Sequence, residues 1–390
     1  MLEALAVQPA DALLSLIKLH NADPRATKID LGVGVYRTAG GETPVFKAIK
    51  AAEARLLADQ DTKSYLGPDG DMGFVNALIP YVFGADFDAT RVAGMQTPGG
   101  TGAVRLAIEV AKRAGVGRVW MGTPSWPNHA QIDTAAGLEL KTFVHATPAG
   151  TADFDALSAV LKAAQPGDAV LLHGCCHNPT GVDYTPAQWD QIAALLAETG
   201  VFPIIDLAYQ GLGDGMEADA YGLRMVLAHV PEALVAYSCD KNFGLYRDRV
   251  GAFYAVSADS AALANAMGNG AAIARAAWSM PPDHGAAAVR LVLADPALTA
   301  LWLAELDEMR ARMAGVRARL AAAQTIGAMS MVPLGAQKGL FSMLPLSPEA
   351  ILTLRERHGI YMAGSGRINI AGLTDGNIEA FIAALRDVAG

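Results

Sequence analysis

"SCDKNFGLYRDRVGAFY", residues 238–254, places Lys241 directly behind an apolar, strand-like run, Ala233 to Tyr237, and ahead of a second run, Val250 to Val256. Lysine is rarely buried without a partner. An amine set between two core strands therefore needs a reason, and Arg249 stands close behind it. Working outward, "RVWMGT" (118–123), "DAVLLHG" (168–174) and "VFPIIDLAY" (201–209) also read as short buried strands. Helix-like stretches separate them. In "TPAQWDQIAALLAETG" (185–200), Thr185 suits the N-cap, Pro186 the first turn and Gly200 the exit. This alternation predicts an α/β fold, a mainly parallel sheet wrapped by helices. From 298 the character changes to one long amphipathic helix, "LTALWLAELDEMRARMAGVRARLAAAQ", followed by strand-like "GLFSMLPL" and "GRINIAGL". The expected organisation is an N-terminal arm over 1–40 that packs with a small domain, a large domain over 41–297, and a small α+β domain over 298–390.

Composition narrows the function classes. With 390 residues, the chain suits one large and one smaller domain. At 52% hydrophobic and 18% charged it has the apolar content for a sizeable core, which excludes a disordered or fibrous chain. A net charge of −9 and the lack of any basic block argue against nucleic acid or an anionic membrane as partner. No run approaches the ~18 continuous apolar residues of a membrane span. The three cysteines, Cys175, Cys176 and Cys239, form no legible disulfide framework. The N-terminus lacks a basic region followed by an apolar core and cleavage site. The expectation is a soluble, cytoplasmic protein.

Polar residues collect where strands end, which is where α/β sheets hold ligands. Asp206 closes "VFPIID"; His173 and Asn178 follow "AVLL"; Ser238 and Lys241 follow "ALVAY". The turn "TPGGTG" (97–102) opens a helix, and its backbone N–H groups can cradle a phosphate. Each residue also has a plainer role: Asp206 as a cap, Asn178-Pro179 as a turn, Arg249 as a surface charge, Lys241 at a wet loop tip. Ser238 and Lys241 also match S-x-x-K, without the S-D-N and K-T-G partners of acyl-enzymes. No H-E-x-x-H, C-x-x-C or calcium-loop pattern is present, so no metal site is expected. Pyridoxal phosphate (PLP) would unite these groups, because it needs an imine-forming lysine, an anion at its ring nitrogen and a phosphate cradle. Burial and the like charge of Arg249 would lower the Lys241 pKa and favour the free amine.

The motifs "HNPTG", "DLAYQGLGDG" and "S-x-x-KNFGLYRDRVGA" closely resemble those of the aspartate and aromatic-amino-acid aminotransferases, the fold-type I PLP enzymes of subfamily Iα. The likeness runs from "PADALLSLIKLHNADPRATKIDLGVGVYRTAGGETPVFKAIKAAE" through "KSYLGPDGDMGF", "PSWPNHAQI" and "SMPPDHGA" to "SGRINIAGL". It implies a large domain with a mainly parallel seven-stranded sheet plus a smaller α+β domain. By this resemblance Lys241 would carry the cofactor and shuttle the substrate proton. Asp206, supported by His129, would pair with the ring nitrogen, and Asn178 and Tyr209 would bond the phenolic oxygen. Trp126 would stack on the ring. Gly100, Thr101, Ser238 and Arg249 would bind the phosphate, joined by Tyr65 of a second subunit. Arg367 would clamp the substrate α-carboxylate beside the Gly34 backbone. Arg275, from the second subunit, would meet a distal carboxylate. Two departures stand out. Asp240 precedes the lysine where many relatives have a small hydroxyl residue. Trp278 and Met280 follow Arg275 where aspartate-specialised relatives carry Tyr and Asn, an apolar wall that suits an aromatic substrate. The implied activity is transfer of an amino group from aromatic amino acids or aspartate to 2-oxoglutarate or oxaloacetate, by a ping-pong route in a homodimer. An aspartate-specialised enzyme, a PLP lyase or decarboxylase, and a non-catalytic regulator are the rivals.

Overall fold

The computed structural model describes residues 1–7 and 12–389. The chain divides into two compact units. One holds Met1–Thr43, Met313–Ala336 and Leu340–Gly390, and the other Pro44–Arg312 with Gln337–Gly339.

Strand β1 (Ile29–Asp30) belongs to the smaller unit. The larger unit is built on β2 (Val92–Pro98), β3 (Arg118–Thr123), β4 (Glu139–Val144), β5 (Asp168–His173), β6 (Phe202–Leu207), β7 (Glu232–Ser238) and β8 (Val250–Ser257). They form one seven-stranded sheet in the order β2-β8-β7-β6-β5-β3-β4. All strands run parallel except β8, which is antiparallel to both β2 and β7. The central strands are buried along almost their whole length, as expected where helices cover both faces. The helix Gly99–Arg113 packs on β7 and β8, and Met95, Ile108, Leu171, Ile204, Leu234 and Phe253 meet in the core beneath it. The sequence-level caps hold: Thr185 and Gln188 form a reciprocal capping box on helix Pro186–Thr199, and Gly200 closes it in the left-handed region.

The register places the site. Pro98 pairs with Val250, Ser238 with Gly251, His173 with Asp206, and Leu207 with Tyr237. Because β8 is reversed, its first residue lies at the same edge of the sheet as the last residues of its neighbours. The connection carrying Lys241 is thus the turn of a β7–β8 hairpin at the edge where ligand groups gather.

The smaller unit adds β9 (Thr325–Ile326), β10 (Met329–Ser330), β11 (Phe341–Met343), β12 (Ile360–Tyr361) and β13 (Arg367–Asn369). β1 pairs with β12 in parallel, while β9–β10 and β11–β13 are antiparallel pairs. Arg25 anchors the N-terminal segment there, donating to the carbonyls of Glu356 and Arg355 and to Asp23. The change of unit falls inside helix Pro296–Ala322, after Arg312, further along than the 297/298 boundary read from composition. The reason is local. Trp302 stacks on Phe243 at 4.3 Å, donates to the Asn242 carbonyl (2.6 Å) and is fully buried in the larger unit. Further on, Arg317 donates to Phe341 O and Ser342 Oγ of the smaller one. No single helix among the described residues is long and apolar enough to cross a membrane.

Candidate active site

Asp206, at the end of β6, is buried, and its Oδ2 accepts from His129 Nε2 at 2.9 Å. Its Oδ1 is buried and accepts no hydrogen bond from any described residue. A buried carboxylate oxygen left open is costly unless something else binds it. Behind His129, Ser125 Oγ lies 3.1 Å from His129 Nδ1 and 3.0 Å from His173 Nε2. The column continues through His177 to His145, whose rings stack at 3.5 Å. Burial lowers the pKa of His173 and His177, and takes His145 down to about 4, so these three are neutral at pH 7.

Lys241 is half-buried in the β7–β8 connection, its Nζ 5.3 Å from the centroid of the Tyr209 ring. Burial lowers its pKa and Arg249 adds to this, while Asp240 and Asp206 oppose it. The lysine loop is held rigidly from below. Asn242 Nδ2 donates to Tyr237 Oη, which donates to Gln210 Oε1, both at 2.9 Å. Tyr209 is buried, and Asn178 Nδ2 donates to its hydroxyl at 3.4 Å. Asn178 Oδ1 is a second buried oxygen with no partner among the described residues. Trp126 is half-buried at the N-cap of helix Pro127–Ala136, edge-on to His129 at 5.0 Å.

The cradle forms where β2 ends. Gly99 has φ +70, and a Cβ there would come within 2.6 Å of Arg249 Nη2 and 3.0 Å of Asp240 Oδ2. A Cβ on Gly100 would meet Ser238 Cβ at 2.7 Å. Gly99, Gly100, Thr101, Ser238 and Arg249 are therefore brought together at one helix N-terminus, with backbone N–H groups free of intrahelical partners. Arg249 itself sits at φ +57, a strained conformation for a non-glycine residue. It is ion-paired with Asp240.

In the smaller unit, the Arg367 guanidinium stacks on Phe341 at 4.5 Å and donates to Gly32 O. A Cβ on Gly34 would come within 2.6 Å of Phe341 Cζ, so a larger residue there would have to push the Phe341 ring aside. Asn369 pins that loop by donating to Val33 O and Val35 O. Two expected residues are exposed to solvent in their own chain. Tyr65 is 92% exposed, and Arg275, exposed in the last turn of helix Ser260–Ala277, donates to Ser279 Oγ. Trp278 packs half-buried against the core of the larger unit instead of standing free beside Arg275, and Met280 Sδ accepts the Leu66 N–H at 3.2 Å. Trp278 and Met280 are both half-buried, and each makes a contact of its own within the chain.

The structure brings Asp206, Asn178, Ser238 and Lys241, picked out by their places after strands, to one edge of the sheet, with the 97–102 turn beside Ser238. Nothing in the sequence marks Ser125 or the line that His173, His177 and His145 form behind His129, which only the folded chain brings together. Cys175, Cys176 and Asp219 lie within 4.8 Å of one another, yet the Asp219 carboxylate is taken by the N–H groups of Gly211, Gly213 and Asp214. It serves as a loop staple. All three cysteines are buried thiols outside any disulfide.

A half-buried amine, an open buried carboxylate oxygen and an anion cradle along one sheet edge define a lysine-centred cofactor enzyme of the α/β class. Residues 26–385 match the model of the aminotransferase class I and II family, and the chain belongs to it. It is 52% identical to the tyrosine aminotransferase of Rhizobium meliloti (strain 1021), over 96% of each chain. It is 44% identical to the aspartate aminotransferase of Escherichia coli (strain K12), over 99% of this chain and 100% of that one. The structure of the aromatic-amino-acid aminotransferase from Burkholderia pseudomallei, covalently bound to pyridoxal phosphate, superposes with TM-score 0.96 at 34% identity, covering 100% of both chains. The protein is a PLP-dependent aminotransferase. The residues present fit that cofactor: Asp206 Oδ1 is a buried acceptor open to a donor, as a protonated ring nitrogen would be, and the Gly99–Thr101 turn is a cradle that a Cβ would fill.

Proposed function

We propose that the enzyme moves amino groups from aromatic amino acids, and also from aspartate, to 2-oxoglutarate or oxaloacetate in a two-half, ping-pong cycle. The observation that carries the residue assignment is Asp206, with one oxygen fixed by His129 and the other buried and open at the sheet edge that also bears Lys241. When bound, PLP withdraws electrons from the substrate Cα and makes its proton acidic. Asp206 holds a proton on the ring nitrogen, and the neutral histidines behind it leave its negative charge intact. Lys241 Nζ, whose pKa burial lowers against the pull of Asp240 and Asp206, takes the Cα proton and returns it. Asn178 and Tyr209 bind the phenolic oxygen, and Trp126 covers the ring face. Gly100, Thr101, Ser238 and Arg249 hold the phosphate, joined by Tyr65 of a second copy of the chain. Arg367 takes the α-carboxylate beside Gly34, and Arg275 of the second copy takes a distal carboxylate.

The aromatic preference rests on Met280 in the Arg275 stretch, and on the higher identity to a tyrosine than to an aspartate aminotransferase. The three cysteines outside any disulfide support a reducing, cytoplasmic setting. Two measurements test this. Lys241→Ala should lower turnover by on the order of 10²–10⁴-fold or more; full turnover in that variant removes the assignment. With 2-oxoglutarate as acceptor, kcat/KM for phenylalanine should exceed that for aspartate, and the reverse ranking makes the enzyme aspartate-specialised.

A further inference from the structure

Asp240 is 2% exposed and is held from two sides: Oδ1 accepts the Val250 N–H at 3.1 Å, and Oδ2 accepts from Arg249 Nη1. It cannot swing away without breaking both bonds, and Oδ2 faces the Gly99 turn. The cradle therefore offers one guanidinium already matched by one carboxylate. A phosphate monoester brings close to two negative charges at neutral pH, its second pKa being about 6. Like charges in a partly desolvated site disfavour joint ionisation. The other groups facing Asp240 do not relieve this. Lys241 Nζ is inclined to the neutral form, the Cys239 thiol is pushed up by burial and by Asp240 itself and stays protonated, and Ser238 Oγ already accepts the Asp240 N–H at 3.3 Å. Burial raises the Asp240 pKa, although Lys241 and Arg249 oppose the shift, and its Oδ2 faces the turn where a phosphate would sit, so a shared proton has a carboxyl to rest on.

We propose that the cofactor phosphate enters this cradle together with one proton from solvent, which Asp240 holds and donates to a phosphate oxygen. The inference rests on the cofactor reading above and makes Asp240 a contributor to phosphate binding instead of a mere anchor for Arg249. The sign follows from linkage. A complex that takes up a proton weakens as pH rises, by up to about tenfold per pH unit once phosphate and carboxyl are both ionised in the free protein. A hydroxyl at position 240 would leave the guanidinium unmatched and remove that slope.

The test uses cofactor-free protein and pyridoxamine 5′-phosphate, which cannot bond covalently to Lys241. Titration calorimetry at pH 8, in buffers of different ionisation enthalpy, counts the protons taken up. Wild type is expected to take up close to one proton more than Asp240→Ser, and its affinity should fall more steeply between pH 7 and 9. Equal counts and parallel slopes overturn the proposal while leaving the cofactor site standing. Failure of wild type to bind pyridoxamine 5′-phosphate at all overturns the cofactor reading and this proposal with it. Should Asp240→Ser not fold, inorganic phosphate on wild type decides, because it has no ring nitrogen to titrate: uptake near one proton supports the proposal and none overturns it.

Discussion

Asp133 lies one turn beyond His129 on helix Pro127–Ala136, buried, with neither carboxylate oxygen bonded to a described residue. Burial pushes its pKa from 3.8 up to about 6, with His129 pulling the other way. An acid whose pKa is raised on folding binds more protons folded than unfolded. Its contribution to stability is therefore intact below 3.8 and is lost as pH rises through about 6. A tenfold change in proton affinity is worth about 1.4 kcal/mol, so Asp133→Asn should stabilise the protein by up to ~3 kcal/mol at pH 8. Near pH 3.5 it should change stability by nothing measurable. Urea midpoints at the two pH values check this; an equal effect at both would place the cause in packing. Asp133 is inconspicuous in the sequence because an acid on a helix is ordinarily solvated, and nothing in "PSWPNHAQI" or the residues after it marks that face as buried. Asp206 was legible for the opposite reason: an acid closing an apolar strand has nowhere wet to go.

At the scale of elements, the strands of the large sheet were readable because each is a short apolar run ended by a polar residue, a pattern that packing on both faces imposes. The reversal of β8 and the histidine column were not. Strand direction depends on how long a connection the chain spends between strands, and the histidines come from different elements: His129 from helix Pro127–Ala136, His173 from the end of β5, and His145 and His177 from the segments after β4 and β5. The unit boundary was misplaced because helix Pro296–Ala322 has one amphipathic pattern along its whole length, while only its contacts show where Trp302 ends and Arg317 begins to matter. Trp302 is the point of attachment between that helix and the lysine loop, through Asn242 O and the Phe243 ring. Trp302→Phe keeps the stacking and loses one buried donor, and should cost about 1–3 kcal/mol with little change in kcat. Trp302→Ala also opens a cavity and should cost about 3–5 kcal/mol. Because it frees the turn that holds Lys241, it should lower kcat as well. Thermal melts paired with steady-state rates separate the two, and an unchanged kcat in the alanine variant would mean the loop is held well enough by Tyr237 and Gln210 alone.

For the whole molecule, the telling contrast is between Lys241, held inside its own chain, and Tyr65 and Arg275, which stand open to solvent in theirs. The Arg275 guanidinium, which among the described residues donates to Ser279 Oγ, fits the proposed role at a distal carboxylate if a second copy supplies the site. Closed homodimers are the commonest symmetric assembly, and in one each patch is used twice. That predicts complementation between two inactive proteins. Lys241→Ala lacks the amine in both sites. Arg275→Ala keeps both amines but lacks the dicarboxylate clamp, so aspartate with 2-oxoglutarate turns over poorly. In a mixed dimer one site collects both lesions and the other collects none. Random pairing after co-expression makes half of the dimers mixed, so about a quarter of the wild-type sites should return, and about a quarter of the aspartate activity with them. Were Arg275 to act within its own chain, every site in every dimer would carry one lesion or the other. The mixture would then show only the average of its two parents, and the shared site would have to be abandoned even if the protein proved dimeric.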